Sequence, residues 1–362
     1  MKKRIIISVS SDLSTDQRVL KVARSCFNDG YDVLLIGRKL TNSQPLQLPF
    51  KFVRLQLLFN RSAFFYAELN LRLFFLFLFS KCDILLSNDT DTLLANFFAV
   101  KIRRKKLVFD AHELFPEVPE LANRPNTKRI WEKIENWIFP QLTHSYTVCN
   151  SISDYYKKLY QIEMKVVRNV PYFHTTNNSD LKLSFPTKKI ILYQGALNTG
   201  RGLEWVLAAM PLVENAMLVI IGDGDIRLEL QELTRKLKIE DKVTFLGKIS
   251  GDKLNEYTPS ASIGLCLLDD KGLSYYYALP NRIFDYIQAN VPVLATRFPE
   301  ITKIVETFNT GVLINHYEPE FLAETINNML KFPMNTSHFK AAAEELCWEN
   351  EEKILLSIIR QE

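Results

Sequence analysis

The chain has 362 residues, of which 47% are hydrophobic and 24% are charged, and its net charge is +4. This balance is typical of a globular protein and excludes a disordered chain, and at about 100–200 residues per domain the length favours two domains. The small net charge, without a run of five or six like charges, argues against nucleic acid as a partner.

Short apolar runs alternate with amphipathic stretches through the first half of the chain. The basic N-terminus leads into Ile5–Val9, which is too short for a signal-peptide core, so we expect a buried strand and a cytoplasmic protein. Strands alternating with helices predict right-handed βαβ units and a parallel sheet. The further predicted strands are Val33–Ile36, Ile84–Leu86, Leu107–Phe109 and Ser145–Val148, and the helices include Gln17–Asp29, Thr90–Lys101 and Lys128–Phe139.

Two features of this half are compatible with contact to a membrane. The segment Phe64–Phe79 is rich in phenylalanine, but its apolar stretch Leu71–Phe79 is shorter than the ~20 residues that span a bilayer. It is therefore either a buried helix or a helix lying in a membrane interface. The basic run Lys101–Lys106 is either a solvated helix end or a contact to an anionic membrane surface or anionic acceptor.

Several polar groups follow predicted strands of this half. Asp89, Thr90 and Asp91 form an Asp-x-Asp sequence, which is a metal–nucleotide signature elsewhere, but capping of the next helix by Asp89 or Thr90 explains it without a metal. His112 follows a strand, where side chains reach a ligand edge, and it either contacts the donor sugar or acceptor or is a satisfied loop residue. Five cysteines occur without a Cys-x-x-Cys pair, and we expect them to be reduced and mostly buried.

The pattern pauses at Asn169–Lys188, whose prolines, asparagines and hydroxyl residues predict a linker, and then restarts. We therefore predict two doubly wound α/β domains with a ligand cleft at the carboxyl ends of their strands. The strands predicted in the second half are Ile190–Gln194, Leu218–Ile221, Val243–Leu246, Ile263–Leu267, Val293–Ala295 and Val312–Ile314.

A glycine-rich turn follows the first strand of the second half. Gly195 is followed by Gly200 and Arg201, and a helix is predicted from Leu203. Such a turn brings backbone N–H groups close to an anion, and an arginine adds forked donors for phosphate oxygens. The alternative is a plain turn with a surface arginine.

A second candidate phosphate contact begins the helix at Arg282. Asn281 is a candidate cap for this helix, and Arg282 would lie in its first turn, where the helix dipole favours an anion. Asp285 lies three residues later on the same face, and is either a ligand for two ribose hydroxyls or a partner of Arg282 in a surface pair.

In their order and spacing, these residues resemble the GT-B glycosyltransferases of family 4 (group 1), and the resemblance covers nearly the whole chain. In the second half it rests on Gly195…Arg201-Gly202, Ile221–Gly224, Phe245–Gly247, Pro280–Tyr286 and Asn290–Thr296. In the first half and at the C-terminus it rests on Ser10–Val19, Gly30–Val33, Asp110–Glu113, Val167–Pro171 and Cys347–Ile359.

The resemblance implies two Rossmann-like domains that face each other across a cleft. Residues 1–169 would form the acceptor side, joined by a terminal helix at about 346–362, with a linker at 170–188 and a nucleotide-sugar domain at 189–345. It implies Arg201, Arg282 and His112 as catalytic residues. The implied donor-binding residues are Gly195, Gly200, Asp223, Gly224, Tyr277, Asn281 and Asp285, and the acceptor-side residues are Asp16, Arg18 and Glu113.

The resemblance also implies the reaction, which is retaining transfer from a nucleotide-diphosphate-sugar without a further cofactor, in cell-surface polysaccharide synthesis. Because Arg201 and Arg282 could together stabilise the leaving diphosphate, we expect the transfer to need no metal ion. The acceptor is a saccharide or a lipid-linked saccharide, and the latter would explain both the Phe64–Phe79 segment and the Lys101–Lys106 run. Contact with the inner face of the membrane would fit a lipid-linked acceptor. From the residues alone, Asp16 is either a contact to the acceptor or phosphate or the N-cap of the first helix.

Two positions depart from the family pattern. Tyr277 stands where the family commonly has a glutamate for the donor sugar, and Ala196 stands where it often has an arginine. Arg201 and Arg282 would then hold the diphosphate between them, and the donor sugar stays open. The alternatives are a GT-B-shaped nucleotide-sugar epimerase and a non-catalytic partner that binds the donor.

Overall fold

A computed structural model describes residues 2–41, 43–122, 124–174, 189–249 and 251–361. The chain forms two compact units, Met1–Asn169 with Asn350–Glu362, and Val170–Glu349. The predicted linker covers residues 170–188, of which 175–188 lie outside the described residues.

The first unit contains a seven-stranded parallel sheet with the strand order β3-β2-β1-β4-β5-β6-β7. Its strands are β1 (Arg4–Asp12), β2 (Asp32–Arg38), β3 (Lys51–Leu55), β4 (Ile84–Asn88), β5 (Lys106–Ala111), β6 (Ser145–Thr147) and β7 (Lys165–Val166). Its helices are α1 (Gln17–Asn28), α2 (Ser62–Phe79), α3 (Thr90–Arg103), α4 (Pro119–Ala122), α5 (Pro125–Ile138) and α6 (Asn150–Tyr160).

The second unit contains a six-stranded parallel sheet with the order β10-β9-β8-β11-β12-β13. Its strands are β8 (Lys189–Gln194), β9 (Ala216–Ile221), β10 (Val243–Gly247), β11 (Ile263–Cys266), β12 (Val293–Thr296) and β13 (Gly311–Ile314). The helices of this unit are α7 (Leu203–Ala209), α8 (Arg227–Lys236), α9 (Gly251–Tyr257), α10 (Leu273–Tyr276), α11 (Arg282–Gln288), α12 (Pro299–Phe308), α13 (Pro319–Lys331) and α14 (Phe339–Glu345). The last helix, α15 (Trp348–Arg360), belongs to the first unit from Asn350 onward.

The central strands are buried on both faces. Ile5, Ile6 and Ile7 are all fully buried, as are the apolar residues of β9, because helices cover both sides of a parallel sheet. The chain reverses direction across the sheet at β1 in the first unit and at β8 in the second. The carboxyl ends of the strands beside such a switch point are the ligand edge of a doubly wound sheet. The prediction of two doubly wound parallel halves is confirmed.

Helix α2 has one buried and one exposed apolar face. Phe65, Leu69, Leu73 and Phe77 recur every four residues and pack into the core of the first unit. Phe64, Leu71, Phe75 and Phe79 are exposed. With 18 residues the whole helix is long and apolar enough to cross a membrane, although 22% of it is buried in the protein. The sequence analysis judged only the stretch Leu71–Phe79 too short to span a bilayer, whereas the helix begins nine residues earlier, at Ser62.

The five cysteines form no disulfide with one another, and each is buried: Cys26, Cys82, Cys149, Cys266 and Cys347. The prediction for the cysteines is confirmed.

Candidate active site

Two glycine loops pack main chain against main chain at the carboxyl edge of the second sheet. Gly195 follows β8 and Gly222 follows β9, and the N–H of Gly195 donates to the carbonyl of Ile221 (3.0 Å). A Cβ at Gly222 would lie 1.8 Å from the carbonyl oxygen of Gly195, and the φ of Gly222 is +149°. Only glycine fits at this contact, so the loop after β8 is held against the loop after β9.

Arg282 begins α11 and is buried beside the Gly195 loop. Its side chain is 7% exposed, and Nη1 donates to the hydroxyl of Tyr193 (3.0 Å) while the guanidinium lies 4.7 Å from the centre of that ring. A Cβ at Gly195 would come within 3.2 Å of Nη1. Nε and Nη2 of Arg282 have no oxygen acceptor among the described residues, although the thiol of Cys266, a weak acceptor, lies beside the guanidinium.

Helix α11 is held close to the sheet by its own tyrosine. The hydroxyl of Tyr286 donates to the carbonyl of Leu192 (3.0 Å), and its ring occupies the space where Gly264 has no side chain. A Cβ at Gly264 would lie 2.4 Å from the ring. This contact fixes the start of α11, and with it Arg282, at the carboxyl edge.

Arg201 lies in the loop before α7. Its guanidinium stacks on the ring of Tyr275, 4.8 Å from the ring centre, and its Nε is buried without a partner in the part of the chain that the structure describes. Gly200 makes room for the same ring, because a Cβ there would lie 3.1 Å from Tyr275. The predicted loop arginine is therefore oriented by an aromatic ring and by a glycine.

The two arginines belong to one local site. Burial raises the pKa of the Cys266 thiol, whereas the charge of Arg282, a hydrogen bond with Arg282 and the charge of Arg201 act against that rise. Cys266 ends β11, and the loop that carries Arg201 packs on the next residue, because a Cβ at Gly202 would lie 2.6 Å from Leu267. The structure thus brings together two cations that are 81 residues apart in the sequence.

The other predicted donor-binding residues lie around this site and differ in their contacts. Asp285 accepts a hydrogen bond from the side chain of Gln194 (3.0 Å), and Asp223 accepts one from the N–H of Gly224 (3.0 Å). Tyr277 follows α10, and its ring packs on Tyr276. Asn281 precedes α11 but makes no side-chain capping hydrogen bond, because its backbone is already helical, so the predicted cap is wrong.

The carboxyl edge of the first sheet carries a chain of alternating charges. Arg18 donates to both oxygens of Asp110 (3.0 and 2.8 Å), Asp110 pairs with Nε2 of His112 (2.9 Å), and Nδ1 of His112 pairs with Asp89 (3.2 Å). Arg18 and Asp110 are buried, and the His112 side chain is 20% exposed. Four charged groups therefore form one line from the interior to the surface.

The neighbours of His112 fix its protonation state. Burial disfavours the imidazolium, but the charges of Asp110 and Asp89 outweigh it and raise the pKa of His112 well above 6.5. Burial likewise opposes ionisation of Asp110, yet Arg18 and His112 lower its pKa to about 2. At neutral pH His112 is thus a cation that donates from both ring nitrogens.

Three predictions for this edge need correction. His112 has no ring nitrogen left for a sugar hydroxyl, because carboxylates occupy both. Arg18 does not reach the surface, since Asp110 and the carbonyl of Val167 hold all of its nitrogens. Asp89 does not cap α3: its carboxylate accepts from the N–H of His112 (2.7 Å) and pairs with the His112 ring.

Two acceptor-side candidates have structural contacts. Asp16 caps α1 by accepting from the N–H of Val19 (3.1 Å), which is the alternative left open by the sequence. The carbonyl of Glu113 accepts from the hydroxyl of Tyr156 (3.2 Å).

Buried acids beside this edge have raised pKa values. Burial, followed by the charge of Asp89, raises the pKa of Asp91 to about 7. Burial raises the pKa of Glu135 to about 8, although Tyr160 and Thr90 donate hydrogen bonds to it.

Sequence reasoning missed the groups that orient the predicted residues. Asp110 lies two residues before His112, a spacing that places both on one side of an extended strand end. Tyr193 lies two residues before Gly195, and Tyr275 two before Tyr277. The first of these relations was readable from strand periodicity, whereas the stacking of Arg201 on Tyr275 joins residues from separate loops.

Residues 176–346 match the family model described as Glycosyl transferases group 1. An uncharacterised glycosyltransferase of Methanocaldococcus jannaschii is 26% identical over 182 residues, 48% of this chain and 45% of the relative. The O-antigen chain mannosyltransferase RfbU of Salmonella typhimurium is 22% identical over 200 residues, 55% of this chain and 53% of the relative. These matches span about half the length of the curated relatives.

Two solved structures are similar over almost the whole chain. Sucrose-phosphate synthase from Thermosynechococcus elongatus superposes with a TM-score of 0.79 at 18% identity, covering 99% of each chain. Anabaena HepE in complex with UDP-glucose gives a TM-score of 0.73 at 15% identity, covering 98% of this chain and 99% of the other. At this identity the likeness concerns the fold, and the predicted GT-B fold is confirmed.

Proposed function

Because residues 176–346 match the group 1 glycosyltransferase family model and the chain has the GT-B fold, we propose that this protein transfers a sugar from a nucleoside-diphosphate sugar to an acceptor hydroxyl. The observation that carries the proposal is Arg282: a buried guanidinium beside a glycine loop, with two nitrogens that lack an oxygen acceptor in the described chain. A buried cation without an anion is unfavourable, and a diphosphate held at this loop would supply the anion.

The two arginines stabilise the leaving group in this proposal. When the bond between the sugar C1 and the phosphate oxygen breaks, negative charge develops on the β-phosphate. Arg282 and Arg201 are held in place by Tyr193 and Tyr275, so their charges need no rearrangement during the reaction. Preorganised charge of this kind is usually the largest single contribution to catalysis.

We further propose that transfer retains the anomeric configuration and needs no metal ion. The acceptor oxygen bonds to C1 on the face that the phosphate leaves, and the acceptor proton passes to the departing phosphate oxygen. The two carboxylates predicted for the donor site support this assignment. Asp285 is tied to Gln194 and Asp223 to its own loop, so neither is oriented as a nucleophile.

The acceptor in this proposal is a saccharide or a lipid-linked saccharide, made during polysaccharide synthesis at the inner face of the membrane. One relative acts on O-antigen chains, which supports the polysaccharide class. The exposed phenylalanines of α2 support peripheral contact with lipid. The HepE structure contains UDP-glucose, which makes UDP-sugars the first donors to test.

A thermal-shift panel of nucleotide-sugars tests the donor site. A ligand at 100 times its dissociation constant adds about 2.7 kcal/mol of stability. We expect a shift with one donor that Arg282→Ala and Arg201→Ala reduce and that Arg235→Ala retains. Arg235 is a suitable control because it is exposed in the last turn of α8, away from the carboxyl edge. Full donor affinity in both site variants would refute the site.

Product analysis then tests the reaction. We expect a glycoside with the anomeric configuration of the donor, formed equally well in excess EDTA. Loss of transfer in EDTA and its recovery with manganese would overturn the metal-free mechanism. An isomerised nucleotide-sugar formed without any acceptor would replace transfer by epimerisation, and donor binding without turnover would make the protein a binding partner.

A further inference from the structure

A cavity of about 720 Å³ opens at the amino-terminal edge of the first sheet. Ile84 and Lys106, the first residues of β4 and β5, line it together with the end of α3 and Gln361 near the end of the chain. This volume lies within the roughly 300–1,000 Å³ of small-molecule sites. His112 follows β5 at the opposite edge, and the six residues of β5 separate the two edges by about 20 Å.

The cavity is strongly basic, with five lysine and arginine side chains against one aspartate: Lys3, Lys101, Arg104, Lys105, Lys106 and Asp83. Lys105 pairs with Asp83 (3.4 Å), and Lys106 donates to the last carbonyls of α15. Lys101 and Arg104 are exposed and form no ion pair with any described residue. These two cations are therefore available to an anion.

An apolar rim surrounds these cations. Phe97 lines the cavity and its ring contacts Trp137 (5.4 Å between centroids), which in turn contacts Phe98 (5.6 Å). Trp137 is 49% exposed and Ile102, between the basic residues, is 63% exposed. Exposed tryptophan beside lysine and arginine is the composition of a membrane–water interface.

The end of α2 belongs to the same rim. Arg103 donates to the carbonyls of Phe77 and Ser80, which places the end of α2 beside the end of α3. Phe79, the last residue of α2, is 84% exposed. The basic cavity thus opens beside apolar side chains from three helices, a combination that a free soluble anion does not require.

We propose that this cavity binds the phosphate-bearing headgroup of an anionic membrane lipid, with the apolar rim in the interfacial region of the bilayer. Lys101 and Arg104 bind the phosphate, and Phe79, Ile102 and Trp137 contact the acyl boundary. The site is separate from the donor site and does not depend on sugar transfer. Because it lies at the edge opposite His112, the lipid bound there anchors the protein and is not the acceptor.

Vesicle sedimentation tests this site on the full chain. We expect binding to vesicles of phosphatidylglycerol and phosphatidylcholine and little binding to phosphatidylcholine alone. At about 1 kcal/mol for each cation near the surface, Lys101→Ala/Arg104→Ala weakens partitioning about 30-fold. The matched control is Arg235→Ala/Lys236→Ala, which removes the same charge from the last turn of α8. Equal losses in both double variants, or equal binding to both vesicles, would overturn the proposal.

A second variant adds charge without removing a cation. Thr143 is exposed and lines the cavity, so Thr143→Glu is expected to weaken binding to anionic vesicles while the protein stays folded. Unchanged binding would exclude the cavity. Sugar transfer to a soluble acceptor is expected to be unchanged in these variants, which separates failure of this site from failure of the proposed function.

His144 distinguishes a lipid from a soluble phosphate. Burial and the charge of Lys106 lower the pKa of His144, which lines the cavity, and its Nδ1 has no partner in the described part of the chain. An anion in the cavity raises this pKa, which NMR titration measures. We expect a larger rise with phosphatidylglycerol vesicles than with glycerol 1-phosphate. A rise with glycerol 1-phosphate, without vesicle binding, would identify a soluble ligand and overturn the lipid assignment.

Discussion

The carboxyl edges of the two sheets hold their charges in different ways. In the first unit Arg18, Asp110, His112 and Asp89 neutralise one another in a continuous line. In the second unit Arg282 and Arg201 lie against tyrosine rings, and some of their buried nitrogens lack an acceptor among the described residues. A line of ion pairs contributes to one fixed structure, whereas cations held by neutral rings keep their charge for a ligand.

The largest effect is expected on the free energy of unfolding, when the same substitution is made at each of the two buried arginines. Arg18→Met leaves Asp110 without its bidentate partner and is expected to lower the free energy of unfolding by about 3–5 kcal/mol. Arg282→Met removes a cation that faces Tyr193 and is expected to leave stability unchanged or higher. Urea-induced unfolding measures both. Equal losses would show that the two edges do not differ, and recovery of stability in Arg18→Met/Asp110→Leu would sharpen the contrast.

For catalysis we expect substitution of Arg282 to have the larger effect. Arg282→Gln removes a fixed donor from the leaving phosphate, so the rate of sugar transfer should fall about 10²–10³-fold while the protein remains folded. Steady-state transfer rates check this, with Arg235→Gln, in the last turn of α8, as the exposed control. A change of less than twofold in Arg282→Gln would remove Arg282 from the mechanism.

The charged line of the first unit also predicts a pH dependence. The folded pKa of His112 is raised, so its stabilising contribution is complete below the unfolded pKa of about 6.5 and is lost as pH rises through the folded value. Asp89→Asn removes one of the two carboxylates, and we expect a lower His112 pKa and a loss of about 1.5–3 kcal/mol at pH 6. NMR titration of the ring measures the first effect and unfolding the second. An unchanged His112 pKa would contradict the pairing.

The smallest effect on stability is expected at Glu135, a buried acid with no cation among its hydrogen-bond partners. Glu135 has a pKa of about 8 and is therefore protonated at neutral pH, when its proton contributes to stability. That contribution is lost as pH rises from the unfolded value near 4.5 to about 8. Glu135→Gln should change stability by less than about 1 kcal/mol at pH 4, where the acid is protonated in both states, and flatten the decline between pH 4.5 and 8. A large loss at pH 6 would mean that an ionised Glu135 stabilises the unit.

Elements with a local sequence pattern were predictable from the sequence, and elements without one were not. Apolar runs predicted the central strands because both faces of these strands are buried. They missed β3, whose alternating residues and half-exposed surface leave no such run, and the two-residue β7. Gly195, Arg201 and Arg282 were located because each follows a recognisable turn or begins a helix.

Residue roles that depend on distant partners were not predictable from local patterns. Arg18 lies 92 residues from Asp110, and Asp89 lies 23 residues from the N–H of His112 that it binds. A local pattern offered a helix cap for Asp89, which the His112 contact outcompetes. The same limit applies to His112, because the sequence does not show that Asp89 and Asp110 pair with its two ring nitrogens in the fold.

The buried cysteines have a practical consequence for spectroscopy. All five thiols are shielded from solvent, and burial raises the pKa of Cys26, Cys82 and Cys266, which suppresses the reactive thiolate. A cysteine introduced at an exposed position, one in each unit, would therefore react selectively with maleimide dyes in the otherwise native chain. Energy transfer between two such dyes would report the distance between the units in solution, with and without nucleotide.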